Sequence, residues 1–99
     1  NLNLFIMLNY KRGVVKYSFF LSNGTQCEVE EEVYHVYQNE TKIGFMSNDE
    51  DLKEWFFYKN IDSDYLCGGL TLKEAKESLS RCLSSEHWNA KEVQEYFNN

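Results

Sequence analysis

The chain has 99 residues and a mass of 11.8 kDa, so residues 1–99 are expected to form a single domain. Its hydrophobic content of 42% and aromatic content of 16% argue against a disordered chain. The formal net charge is −6. Residues 28–54 carry nine acids against two lysines, whereas residues 1–27 carry three bases and no acid. This acidic block disfavours direct binding of nucleic acid, because it repels phosphates. No apolar run in the sequence approaches the roughly 20 residues that span a membrane.

Alternating apolar residues predict two short strands at the start of the chain. Leu2–Asn9 and Val14–Ser22 both show the two-residue period of a strand. The residues between them, Lys11-Arg12-Gly13, predict a turn because glycine accepts a positive φ. Asn23-Gly24 then predicts a type I′ hairpin turn, in which both central residues have positive φ.

The acidic block begins in a third predicted strand, Gln26–Gln38. This run is long for one strand, so we expect a bend or a bulge near Glu30–Glu32. In unbroken alternation, Glu28, Glu30 and Glu32 project from one face. Asn39-Glu40-Thr41 predicts a second hairpin, with a three-residue loop, leading to a strand over Lys42–Ser47.

Residues 49–60 are compatible with two structures. One is an acid-capped helix with Leu52, Trp55 and Phe56 on one side, and the other is an acidic turn followed by a strand over Glu54–Lys59. Consecutive aromatic residues favour the strand, which is our prediction. Ile61–Leu70 ends in a pair of glycines and is expected to be a loop.

Two helices are predicted at the end of the chain. Thr71-Leu72-Lys73-Glu74 has the spacing of a capping box, and an apolar stripe continues to about residue 84. Asn89 is a weaker start signal for a last helix that would bury Val93, Tyr96 and Phe97. Strands followed by helices predict an α+β fold: an antiparallel meander of about five strands, then one or two C-terminal helices packed on one face.

The sequence contains no motif for catalysis, metal binding or cofactor binding. It has no phosphate-binding glycine loop, no HExxH and no nucleophile elbow. The three cysteines, Cys27, Cys67 and Cys82, lack CxxC spacing, and unpaired thiols suggest a reducing, cytoplasmic location. Cys67, in the expected loop, is the weak exception as a catalytic candidate. We therefore expect a protein that is not an enzyme and that uses no metal and no cofactor.

The remaining candidate is an acidic surface interspersed with aromatic residues, which is the composition of an interface for a basic partner. Its predicted partner-binding residues are Glu28, Glu30, Glu32, Tyr34, Tyr37, Glu40, Asp49, Glu50 and Asp51. Such a surface suits a protein that occupies the positive cleft of a nuclease or another nucleic-acid-handling enzyme and blocks it. Toxin-neutralising immunity proteins and phage-type antagonists of host defence are similar in size, acidity and lack of a catalytic motif.

The leading hypothesis is an immunity protein that neutralises a nuclease toxin. One alternative is a phage-type antagonist that mimics nucleic acid and thereby blocks a host defence nuclease. Another is a small accessory domain, acidic only for solubility, that forms a homodimer through an edge strand such as Leu2–Asn9. The oligomeric state expected from the sequence is a monomer or a homodimer.

Overall fold

The computed structural model describes residues 7–84 and 90–99 and has five strands followed by two helices. The strands are β1 (Leu8–Phe20), β2 (Gln26–Gln38), β3 (Thr41–Asp49), β4 (Glu54–Tyr58) and β5 (Tyr65–Gly69); the helices are α1 (Leu72–Leu83) and α2 (Ala90–Asn98). Neighbouring strands pair antiparallel in the order β1-β2-β3-β4-β5. This confirms the predicted α+β meander with C-terminal helices.

The turn predicted at Lys11-Arg12-Gly13 is wrong, because β1 passes straight through these residues. Gly13 is needed there for space and not for a turn: a Cβ at this position would lie 2.6 Å from Cδ2 of His35 on β2. The imidazole fills this space, with Nε2 3.2 Å from the carbonyl oxygen of Val14. Of the first predicted strand, residues 1–6 lie outside the described part of the chain.

The hairpin turns differ from the predicted types. The β1–β2 hairpin forms, and Gly24 has φ +86°, but Asn23 is not in the left-handed region. Its side-chain oxygen instead accepts a hydrogen bond from the Thr25 amide at 2.9 Å. The two consecutive positive φ angles of a type I′ turn occur at Asn39 and Glu40, at 49° and 75°. That loop has two residues and not three, because Thr41 already pairs with Gln38.

The bulge predicted near Glu30–Glu32 is also absent, because every residue of β2 has a partner on β1. The register shift occurs instead between Val36 and Tyr37, against β3. The strand predicted at Glu54–Lys59 is confirmed as β4.

The loop predicted over Ile61–Leu70 is wrong for Tyr65–Gly69, which form β5. The glycines that suggested a loop allow close approach between elements. At Gly69 a Cβ would lie 2.6 Å from the backbone nitrogen of Ala75 on α1. Five strands were predicted and five are present in the described residues. The end of the first predicted strand and most of the second belong to β1, and β5 is the strand that was not predicted.

The core lies between one face of the sheet and α1. Its fully buried side chains are Val36, Met46, Phe57, Ala75 and Leu79. The capping box forms, since the Thr71 hydroxyl accepts a hydrogen bond from the Glu74 amide at 3.1 Å. As predicted, Val93 is buried on α2, and Phe97 packs against Phe57 with ring centroids 6.1 Å apart. Neither described helix is long and apolar enough to cross a bilayer.

Candidate functional site

An open cavity lies where β2 and β3 separate. The two strands pair from Gln38 to Tyr34, where Met46 is the last partner on β3. Beyond this point residues 26–33 pair with β1 alone, and Ser47–Asp49 pair with β4 alone. Within the described chain, the two arms of this fork enclose an open cleft of about 960 Å³. We call this cavity the acidic cleft.

Both arms contribute carboxylates to the acidic cleft. Its acidic lining residues are Glu30, Glu31 and Glu32 from β2, and Asp49, Glu50 and Asp51 from the end of β3 and the turn after it. Arg12 is the one cationic residue among the lining side chains. In the part of the chain that the structure describes, none of these carboxylates forms an ion pair. Two acidic segments that are distant in sequence therefore add their negative fields in one cavity.

Aromatic side chains also line the acidic cleft. The rings of Tyr34 and Trp55 are 5.8 Å apart and tilted by 52°. Those of Phe45 and Tyr58 are stacked at 5.6 Å. The face of an aromatic ring attracts cations, and carboxylates attract them over longer distances. Carboxylates and aromatic rings that line one cavity therefore both favour a cation there.

The phenol of Tyr58 is exposed to the charge of both arms. Burial raises its pKa above the ordinary value of 10, and the negative charges of Asp49 and then Glu31 raise this pKa further. Asp49 lies on the β3 arm and Glu31 on the β2 arm. The same field that disfavours a phenolate at Tyr58 favours a bound cation.

Asp49 stabilises the turn after β3, in addition to contributing negative charge to the β3 arm. One oxygen of its carboxylate, Oδ1, accepts hydrogen bonds from the amides of Asp51 at 3.0 Å and Leu52 at 3.1 Å. Its carbonyl oxygen accepts from the Lys53 amide at 2.7 Å, and Lys53 has φ 56°. The side chains of Glu50 and Asp51 are exposed. Asp49 therefore holds the turn that carries its two exposed acidic neighbours.

The structure brings six of the nine predicted partner-binding residues together in the acidic cleft: Glu30, Glu32, Tyr34, Asp49, Glu50 and Asp51. Glu28 lies nearer the start of β2, in the two-stranded ribbon that β2 forms with β1, where it is opposite Ser18. It is exposed and does not line the cleft. Tyr37 and Glu40 lie at the other end of β2, where the Lys11 ammonium is 5.1 Å from the Tyr37 ring centroid. As binding residues, all nine remain predictions.

The nine predicted partner-binding residues do not include Glu31, Arg12, Trp55 and Tyr58, which also line the cleft. Alternation along β2 assigns Glu31 to the face opposite Glu30 and Glu32. It lines the cleft because a gap beside an unpaired strand edge is bordered by side chains from both faces of that strand. The three consecutive acids at Glu30–Glu32 were the signal in the sequence, but the two-residue period of a strand assigns Glu31 to the other face.

Cys67, the weak candidate for catalysis, has structural surroundings: it lies in β5 against the core and not in a loop. Among the described residues no group of histidine, cysteine and acidic side chains could hold a metal ion. Comparisons with protein-family models, curated proteins and solved structures find no match to this chain.

Proposed function

We propose that this protein is a non-enzymatic inhibitor that binds a basic nuclease through the acidic cleft, as a cytoplasmic immunity protein binds its toxin. The observation that carries the proposal is the convergence of six carboxylates, from two separate segments, on one cavity that aromatic rings also line. Neither segment alone would make such a receptor. Their juxtaposition creates a strong local field that an isolated acidic strand on a flat sheet does not have.

The expected occupant is a protruding arginine or lysine side chain of the partner. A nuclease must carry cations that hold phosphates, so a carboxylate-lined cavity can engage the groups that bind its substrate. Arginine fits this cavity best, because its guanidinium pairs with carboxylates through parallel hydrogen bonds and also stacks on aromatic rings. A volume of about 960 Å³ accommodates a side chain of this size with part of the loop that carries it.

Nucleic-acid mimicry is the alternative supported by one row of side chains. Glu28, Glu30 and Glu32 follow one face of β2 at a spacing of about 6.6–6.8 Å, a regular line of negative charge. A mimic would use the whole row, including Glu28, whereas a receptor would use Glu50 and Asp51 and not Glu28. The concentration of charge in a concave cleft supports the receptor.

The test is affinity capture from the source cell followed by a nuclease assay. The protein should retain a basic protein at ~0.1 M salt and release it near ~1 M salt, where the screening length falls from about 10 Å to about 3 Å. The eluted protein should cleave nucleic acid, and added purified inhibitor should stop this cleavage at one equivalent. A captured fraction without nuclease activity, or with activity that the protein does not inhibit, would overturn the proposal.

Charge reversal on two surfaces identifies the contact. The triple variant Glu30→Lys, Glu32→Lys and Glu50→Lys changes the acidic cleft. The matched control, Glu77→Lys, Glu92→Lys and Glu95→Lys, makes the same change in net charge at exposed positions outside the cleft and outside the predicted partner-binding residues. We expect inhibition to be lost in the first variant and kept in the second. Equal loss in both would show a dependence on net charge alone, and loss with Glu28→Lys alone would favour the mimic.

A second candidate function is self-association, supported by the apolar face of the β1–β2 ribbon. Tyr17 and Phe19 share this face and are 37% and 45% exposed, and Leu21, directly after the strand, is 45% exposed. Contiguous exposed apolar side chains are typical of contact surfaces. A concentration-dependent mass in light scattering that Phe19→Asp abolishes would support a homodimer. A constant monomer mass would remove this candidate.

A further inference from the structure

Two of the three cysteines meet across the contact between β5 and α1. Cys67 lies on β5 and Cys82 near the end of α1, and each thiol has the largest effect on the pKa of the other, through a side-chain hydrogen bond. The two elements are in close backbone contact at Gly69, two residues after Cys67. Cys67 also packs against the core that contains Leu79, which is one helical turn before Cys82. The packing of β5 on α1 therefore holds the two sulfur atoms together.

The surroundings make the two thiols chemically different. The pKa of Cys82 is lowered to about 7, because the hydrogen bond from Cys67 and the neighbouring Arg81 guanidinium together outweigh the opposing effect of burial. The same hydrogen bond, together with burial, raises the pKa of Cys67. At neutral pH, Cys82 is therefore partly a thiolate while Cys67 keeps its proton. Thiolates are the nucleophilic form of cysteine, and Cys82 is partly exposed.

We propose that Cys67 and Cys82 form a hydroperoxide-reactive dithiol site, in which Cys82 is the attacking cysteine and Cys67 the resolving one. The Cys82 sulfur attacks the terminal oxygen of a hydroperoxide, and the O–O bond breaks. The sulfur gives two electrons, the leaving oxygen takes a proton and departs as an alcohol or water, and Cys82 becomes a sulfenic acid. The Cys67 sulfur then attacks the Cys82 sulfur, and the S–O bond breaks.

The second step releases one water, whose oxygen comes from the sulfenic acid and whose additional proton comes from Cys67. A disulfide then joins β5 to α1. In sum, the two thiols lose two electrons and two protons, and one hydroperoxide is reduced to an alcohol and water. The third cysteine, Cys27, pairs across strands with Phe19 on the ribbon and takes no part. It provides a control within the same chain.

The test uses hydrogen peroxide as the probe and the fully reduced protein. One equivalent should remove two hydrogen atoms from the intact mass and lower the number of titratable thiols in denaturant from three to one. Peptide mapping should find a disulfide between Cys67 and Cys82. Cys67→Ser should stop at a sulfenic acid on Cys82 that dimedone traps, and Cys27→Ser should still form the disulfide.

Several results would overturn the proposal. These are a disulfide that includes Cys27, first oxidation at Cys27 or Cys67, or three remaining thiols after peroxide treatment while circular dichroism shows a folded protein. The mapping needs only the unmodified chain, so a variant that failed to fold would not prevent a decision. The thiol chemistry does not depend on any partner, and the test is therefore independent of the proposed inhibitor function.

Discussion

Glu31 and Asp49 stand on opposite arms of the acidic cleft, and both act on the phenol of Tyr58. They lie in different strands that do not pair with each other at these positions. Both side chains can reach the same cavity because β2 and β3 pair only from Tyr34 to Gln38, which leaves residues 26–33 of β2 without a partner on β3. The cleft is thus a consequence of strand divergence, which brings two acidic segments together across a gap.

The first prediction concerns the effect of these two carboxylates on the pKa of Tyr58. Replacing Glu31 with Gln should lower the pKa of Tyr58, because a negative charge that disfavours the phenolate is removed. Site-specific NMR titration of labelled tyrosine rings measures this change. Glu28→Gln is the matched control, since Glu28 lies outside the cleft and should leave the Tyr58 titration unchanged. A Tyr58 pKa that did not respond to Glu31→Gln would contradict the arrangement of the two arms.

The second prediction concerns the turn after β3. Asp49→Ala should lower the free energy of unfolding by about 0.5–2 kcal/mol, because two exposed backbone amides exchange their carboxylate acceptor for water. Asp51→Ala should change it by less than about 0.5 kcal/mol, since that side chain is exposed. Urea denaturation compares the two variants. Equal effects would mean that the Asp49 carboxylate does not hold the turn.

The third prediction concerns the steric relationship between Gly13 and His35. Gly13→Ala should destabilise the protein by about 1–3 kcal/mol, because the new methyl group would meet the imidazole at 2.6 Å. In a His35→Ala background the same substitution should cost much less. The double-mutant cycle, measured by urea denaturation, should therefore show a coupling energy. Additive effects would show that the two side chains do not compete for this space.

The fourth prediction concerns the pH dependence of Cys82. Its alkylation by iodoacetamide should rise with pH through a midpoint of about 7, because the thiolate fraction grows as pH passes the lowered pKa. Cys67→Ala removes the hydrogen-bond donor and should move this midpoint upward. Arg81→Gln should move it in the same direction, by removing a positive charge. Mass spectrometry of the modified peptide follows each reaction, and a midpoint unaffected by both changes would contradict the proposed contact.

Local sequence patterns predicted most of the elements correctly. The period-two runs of β2 and β4, the capping box at Thr71 and the apolar stripe of α1 are encoded by neighbouring residues, so the sequence alone reveals them. Two glycines led to wrong predictions. Gly13 and Gly69 interrupt apparent strand patterns, but each is required by a close neighbour in space, His35 in one case and α1 in the other.

The amino-acid sequence by itself determined the fold class, the order of strands before helices and the two acidic segments. These properties depend on side-chain periodicity and charge along a short stretch of chain. Only the tertiary structure decided that the two segments face each other, that Glu31 joins them and that Cys67 meets Cys82. These relationships depend on where β2 leaves β3 and how closely β5 approaches α1. Both are set by packing between residues distant in sequence, which no local pattern records.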